Sequence, residues 1–181
     1  MLEVPHFGQA TDHHCVPTCQ KMVIEYARQT LGVDCPVLSI KKIARITRID
    51  RDGVVPEYAE KVNELLRRTK PPMKFQTQFG AEFNDITNEL KENRPVIALI
   101  NTREPPDELV HAVIIVDFVP NRIWYHDPDE DEKHAVKALE VGVFMSMWGW
   151  KNRLIKLLIS KQQQTTIGDY NKQDQMEDDQ E

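Results

Sequence analysis

The second half of the chain carries four apolar runs of strand length: PVIALI (95–100), VHAVIIVDFV (110–119), RIWYHD (122–127) and RLIKLLIS (153–160). Short runs rich in Val and Ile and bounded by turn residues such as Pro and Asn are buried strands. Their backbone groups must be paired with one another, and the tight connection through Pro120 and Asn121 makes that neighbouring pair antiparallel. The first half is patterned differently. Cys15, Cys19, Met22, Val23, Tyr26 and Ala27 recur at helical spacing, Pro17 suits a first turn, and Gly32 follows where a C-terminal cap belongs. The spacing predicts a buried helix starting near Cys15. Ser39 can cap a short helix with Ile40, Ile43 and Ala44, and Pro56 can open another that runs to Leu66. Pro71 and Pro72 close that region, Met73 to Phe79 alternate as a strand, Phe83, Ile86 and Leu90 suggest a small helix, and another helix is expected around Val143 to Trp148. A helical half followed by an antiparallel sheet is an α+β arrangement.

The length of 181 residues suits one domain, expected over residues 1–160. Residues 161–181 are polar, acidic and nearly free of aliphatics; they are expected to be a disordered tail whose removal leaves the melting transition unchanged. A net charge of -6 offers no positive field to a phosphate backbone or an anionic bilayer, so neither nucleic acid nor membrane insertion is expected. The N-terminus has no signal-like run and no stretch approaches the ~20 apolar residues of a span, so the expected location is cytoplasmic. Three cysteines, Cys15, Cys19 and Cys35, argue against a disulfide framework.

The stretch HHCVPTC (13–19) holds most of the chemistry-bearing side chains of the N-terminal region. As a zinc site it is incomplete, since Cys15 and Cys19 have no second ligand pair downstream. No metal or cofactor is expected. As a nucleophile, Cys15 is well placed: first-turn N–H groups and the positive end of a helix dipole stabilise a thiolate. His111, which opens an apolar strand, is the candidate base, and Asp127, closing the next strand in YHDP, can accept its second N–H. Side chains alternate along a strand, so the two share a face only if Asp127 stands opposite an odd-numbered residue such as Val113. That requires an odd turn near Pro120, with Asn121 left-handed. Gln9, on the loop before the helix, can aim an amide N–H at a developing oxyanion together with the Cys15 backbone N–H.

Gln9, Cys15, His111 and Asp127, in that order, resemble the papain-like cysteine peptidases and, within them, the bacteriocin-processing (double-glycine) peptidase family. The text GQATDHHCVPTCQKM matches the family's Gln, five residues, then Cys. Gly53 after a short helical pair, PVIALI, HAVIIV, the aromatic strand ending in DP and the late Trp148 extend the match over roughly residues 1–160. The resemblance implies a papain-like fold with the catalytic helix packed on the sheet. It also implies a peptide or protein substrate bound extended and cut after small residues, as in leader processing. Val16 departs from the pattern. It replaces the glycine that usually follows the nucleophile, and its branched side chain is expected to narrow the cleft or alter how the substrate backbone approaches.

Each of these residues also has a plainer reading. Cys19 and Cys35 read as core or loop thiols, Asp127 as the first residue of a solvated acidic turn, and Gln9 as a loop cap. His13 and His14 read as surface or cleft-rim residues. Two other functions use the same four residues: a non-catalytic peptide-binding or regulatory module that kept the cleft, and an acyltransferase in which an amine or sugar replaces water.

Overall fold

The computed structural model of the chain describes residues 1–49, 53–102, 110–149 and 151–160. The tail expected at 161–181 therefore lies outside the described residues. A central helix, α1 (Cys15–Gln29), is followed by α2 (Ile40–Ile46) and a short α3 (Pro56–Ala59) that passes into a 3-10 helix, Glu60–Glu64. Then come β1 (Met73–Gln78), α4 (Phe83–Lys91), β2 (Val96–Asn101), β3 (Val110–Val119), β4 (Arg122–His126), β5 (Val136–Glu140), α5 (Val141–Trp148) and β6 (Arg153–Ile159). The strands form one six-stranded sheet in the order β1-β6-β2-β3-β4-β5, every pair antiparallel.

Helices cover both faces of the sheet centre, which explains why β2 and β3 read as continuous apolar runs. Ile97, Leu99, Ala112, Ile114 and Val116 point to the α1 side, while Val96, Ala98, Ile100, Val113 and Ile115 join Ile86 of α4 and Phe144 and Trp148 of α5 on the other. Met22, Ile24 and Tyr26 of α1 are fully buried, each contributing about 1.5–3 kcal/mol of transfer free energy. The polar side chains of α1 are enclosed too: the Gln20 amide donates to the Ala59 carbonyl at 2.8 Å, and Lys21 pairs with Glu25. The helix is buried all round, and its first residue lies at the end of the sheet where β3 begins.

Several elements fall where the sequence places them. The Ser39 hydroxyl caps α2 by accepting from the Lys42 N–H, and α4 opens with a capping box between Glu82 and Asp85. Two differ. The helix expected from Pro56 to Leu66 is a single α-turn followed by 3-10 structure. There the Asn63 amide exchanges hydrogen bonds with the backbone of Phe75, and Glu60 accepts from the Thr77 N–H, so these residues serve β1. Strand β5 was not expected at all; it is a sheet edge with no fully buried residue, carrying the charges typical of edges.

The β3–β4 hairpin differs in an instructive way. Val119 pairs with Arg122, so the turn is the two-residue Pro120–Asn121 rather than an odd one, with Asn121 left-handed at φ 71°. That turn alone would carry Asp127 opposite Ile114. A β-bulge at Val116 shifts the register between Ile115 and Asp117, so that Ile114 pairs with His126 and the next position brings Asp127 opposite Val113. The expected parity is present, but the bulge supplies it. The Val116 carbonyl accepts from the Leu2 N–H at 3.0 Å, so the irregularity is satisfied by the N-terminal segment.

Candidate functional site

Cys15 is the first residue of α1 and is 7% exposed. His14 at the N-cap provides no side-chain cap, which leaves the first-turn N–H groups unclaimed by a side chain. The His14 ring instead meets the Thr11 hydroxyl at 2.6 Å, and exposed His13 precedes it. Gly53 lies beside His13, where a Cβ would make only ordinary contact with the His13 carbonyl oxygen at 3.9 Å, and it is the left-handed φ of 95° that favours glycine there.

His111 stands second in β3, opposite Ile100. Its Nε2 lies 2.7 Å from Asp127 Oδ1, which leaves Nδ1 as the other ring nitrogen, and Cys15 is near enough to act electrostatically on the imidazole. Burial works against a charged imidazole here. The hydrogen bonds and charges of Asp127 and Cys15 outweigh it and push His111 up to about 9. Asp127 feels the reverse. Burial favours its neutral form, yet the His111 hydrogen bond and charge, the Asp129 N–H at 3.1 Å and the Lys137 ammonium hold the carboxyl far below the usual carboxylate range.

Gln9 reaches the same place by a different route. Its backbone N–H donates to the Pro128 carbonyl at 2.7 Å and its amide to Asp129 Oδ1 at 2.8 Å. One amide hydrogen is thus committed to Asp129 and the other remains. The structure therefore brings all four expected residues to one end of the sheet: His111 hydrogen-bonded to Asp127, Cys15 beside the His111 ring, and Gln9 tethered to the turn that follows Asp127. That turn is not merely a solvated acidic loop. Asp127 is buried, and only the residues after Pro128 open to solvent.

The remaining cysteines are accounted for. Cys19, one turn along α1, is fully buried and donates its thiol to the Ala112 carbonyl at 3.4 Å; burial, reinforced by nearby Cys15 and Asp127, keeps it protonated. Cys35 is half-buried over the Ile24 carbonyl. Among the described residues no group of three or more His, Cys, Asp or Glu side chains is placed to hold a metal ion. Val16 corrects an expectation: it is 5% exposed and belongs to the core cluster on the α1 side, so its side chain fills the interior instead of narrowing the cleft.

Sequence reasoning missed Lys137. It pairs with Tyr125 in the β4–β5 register, and its Nζ lies 3.1 Å from Asp127 Oδ2 while also binding Glu130. The alternation in VKALE is the only signal, and a weak one on an edge strand. His6, which meets the Glu130 carbonyl at 2.9 Å through Nε2, was missed as well. Among the described residues no helix is long and apolar enough to cross a membrane.

Similarity to known proteins follows the same lines. The model of the Peptidase_C39 like family matches residues 1–153. A C39-like peptidase from Bacillus anthracis superposes with a TM-score of 0.68 at 16% identity, over 89% of this chain and 98% of that one. The peptidase domain of Streptococcus ComA, a bi-functional ABC transporter involved in a quorum-sensing pathway, superposes with a TM-score of 0.62 at 16% identity, over 85% and 97% of the two chains. The same domain from Streptococcus mutans, in complex with a small-molecule inhibitor, gives 0.51 at 13% identity over 85% and 98%. No curated protein is similar enough in sequence to match. The fold is that of the C39-like, papain-like peptidases, and with a family match over most of its length the chain belongs to the Peptidase_C39 like family.

Proposed function

We propose that this chain is a cysteine peptidase in which Cys15 is the nucleophile, His111 the general base and acid, Asp127 the group that orients and charges His111, and Gln9 an oxyanion donor. The observation that carries the reading is the 2.7 Å hydrogen bond between His111 and Asp127 beside Cys15, which opens the central helix near enough to act electrostatically on the His111 ring. His111 holds the thiol proton as imidazolium; the sulfur attacks a peptide carbonyl, and the Cys15 N–H with the free amide N–H of Gln9 receive the oxyanion. Collapse of the tetrahedral species breaks the C–N bond as His111 protonates the departing amine. Water, deprotonated by His111, then releases the acyl group from Cys15. The substrate is an extended peptide cleaved after small residues, and a glycine-terminated leader fits that description.

The test is digestion of a proteome-derived peptide library, with new termini read by mass spectrometry against the Cys15→Ala protein. Cleavage after Gly, Ala or Ser that vanishes in the variant is the expected result. Absence of any Cys15-dependent cleavage contradicts the peptidase reading. Cys15-dependent products carrying an added amine or sugar would identify a transferase instead.

A further inference from the structure

Asp127 has more partners than a residue that only orients a histidine requires. Oδ1 receives His111 Nε2 at 2.7 Å and the Asp129 N–H at 3.1 Å, and Oδ2 receives the Lys137 ammonium at 3.1 Å. Strand geometry makes the last contact possible. Lys137 pairs with Tyr125, two residues before Asp127, so Lys137 is a diagonal neighbour on the same face. The ammonium is in turn held by Glu130, whose backbone N–H donates to the Asp127 carbonyl at 3.3 Å. The contact is not a loose surface pair: Asp127's side chain is 12% exposed and Lys137's 34%.

We propose that Lys137 is a positioning residue for the Cys15–His111–Asp127 row: it pins Asp127 Oδ2, so that Oδ1 is presented to His111, and its charge limits how tightly Asp127 holds the imidazolium proton. This inference rests on the assignment of His111 and Asp127 as base and orienting carboxylate. A carboxylate with a single cationic partner would hold the His111 proton more strongly, and a general acid–base group works best when its proton is not held too far above the working pH. Lys137 competes for that carboxylate's charge, and Glu130 partly offsets Lys137. The other ionisable groups beside this cluster are Cys15 and Cys19 of α1, Tyr125 and His126 of β4, Asp129 of the following turn and His6, whose Nε2 meets the Glu130 carbonyl. Among the described residues Lys137 is the cation besides His111 that pairs directly with the Asp127 carboxylate, and so the one placed to oppose the imidazolium there.

The readout is the pH titration of the His111 Cε1–H resonance, identified by its disappearance in His111→Gln. It is recorded in the otherwise unchanged protein and again with Cys15→Ala, where no thiol contributes. Lys137→Met keeps the aliphatic stem and removes the charge; it should move the His111 midpoint upward by about one unit, as loss of a positive charge one carboxylate away dictates. Lys137→Arg should leave it in place, and Glu130→Gln should move it downward. A slackened site would shift every variant the same way, so opposite shifts in Lys137→Met and Glu130→Gln mark an electrostatic role. Melting curves identify any unfolded variant, and Glu130→Gln then decides the sign from the other side. An unchanged or lowered midpoint in folded Lys137→Met overturns the role of Lys137 while leaving the triad intact. A His111 midpoint near the free value of about 6.5 in the parent protein, with and without Cys15, removes the triad and this inference together.

Discussion

Asp127 is the residue at which the site is most sensitive to a single atom. Both of its oxygens serve cations, Oδ1 His111 and Oδ2 Lys137, whereas an asparagine has only one acceptor to offer. In Asp127→Asn the two donors compete for one oxygen, the imidazolium loses its countercharge, and Cys15 alkylation at neutral pH should slow by at least about tenfold. Rates measured with iodoacetamide on the native protein check this; equal rates would show that Asp127 only begins a turn. Val16 yields a prediction of the opposite kind. Val16→Gly removes a core side chain and puts glycine in a helix, costing about 2–3 kcal/mol together. Because Val16 faces the interior, the melting temperature should fall while the labelling rate of Cys15 stays within about twofold, the scale of a few tenths of a kcal/mol. Faster labelling would mean that Val16 does shade the thiol.

At the level of elements, the β3–β4 hairpin governs whether the row exists. Deleting Val116, the extra residue, would remove the bulge and leave Ile115 paired with Tyr125, so Asp127 would stay opposite Val113 and on the face of His111. The deletion variant should keep both rapid Cys15 labelling and the raised His111 midpoint wherever circular dichroism shows the sheet retained; their loss would mean that the local twist of the bulge, and not the register alone, positions the row. What the sequence made legible follows physical lines. β2, β3, β4 and β6 announce themselves because strands covered at the sheet centre are apolar along much of their length, and α1 does so because Cys15 to Ala27 hold one period through to a glycine. β5 is silent because an edge strand buries little. The 3-10 segment escapes because Asn63 and Glu60 spend their side chains on β1. The bulge leaves no mark, since Val116 is as apolar as its neighbours. Gln9, Cys15, His111 and Asp127 were legible through their order, whereas Lys137 depends on a register that only the folded sheet reveals.

For the whole molecule, the N-terminal segment acts as a strap. Leu2 binds the bulge carbonyl, His6 the Glu130 carbonyl and Gln9 the Pro128 carbonyl, so the segment runs from the β3 bulge to the turn after Asp127 and ties the β3–β4 pair to the site. Two histidines there titrate in opposite senses. His111, raised to about 9, contributes stability that is complete below its unfolded value of about 6.5 and is lost as pH climbs through 9. His126 is buried, with its ring centroid 6.3 Å from that of His6. Burial first, then the neighbouring His6 charge, lower it to about 4, so the folded state binds fewer protons and stability falls as pH drops from about 6.5 towards 4. The melting temperature should therefore peak between about pH 6 and 7.5. His111→Gln should flatten the alkaline side and His126→Gln the acid side. A monotonic profile unaffected by either change would contradict these assignments.

Activation of the Cys15 nucleophile by His111 can be read in one experiment, selective alkylation of the native thiols. Native protein is exposed briefly to iodoacetamide near pH 6, quenched, unfolded, and mapped by mass spectrometry. A free thiol of pKa about 8.5 is almost wholly protonated there and reacts slowly. The label is predicted on Cys15, with Cys19 protected by the core and His111→Ala slowing the reaction by at least about tenfold. Equal labelling of Cys15 and Cys19, or a Cys15 rate indifferent to His111→Ala, would show that Cys15 is not a nucleophile activated by His111.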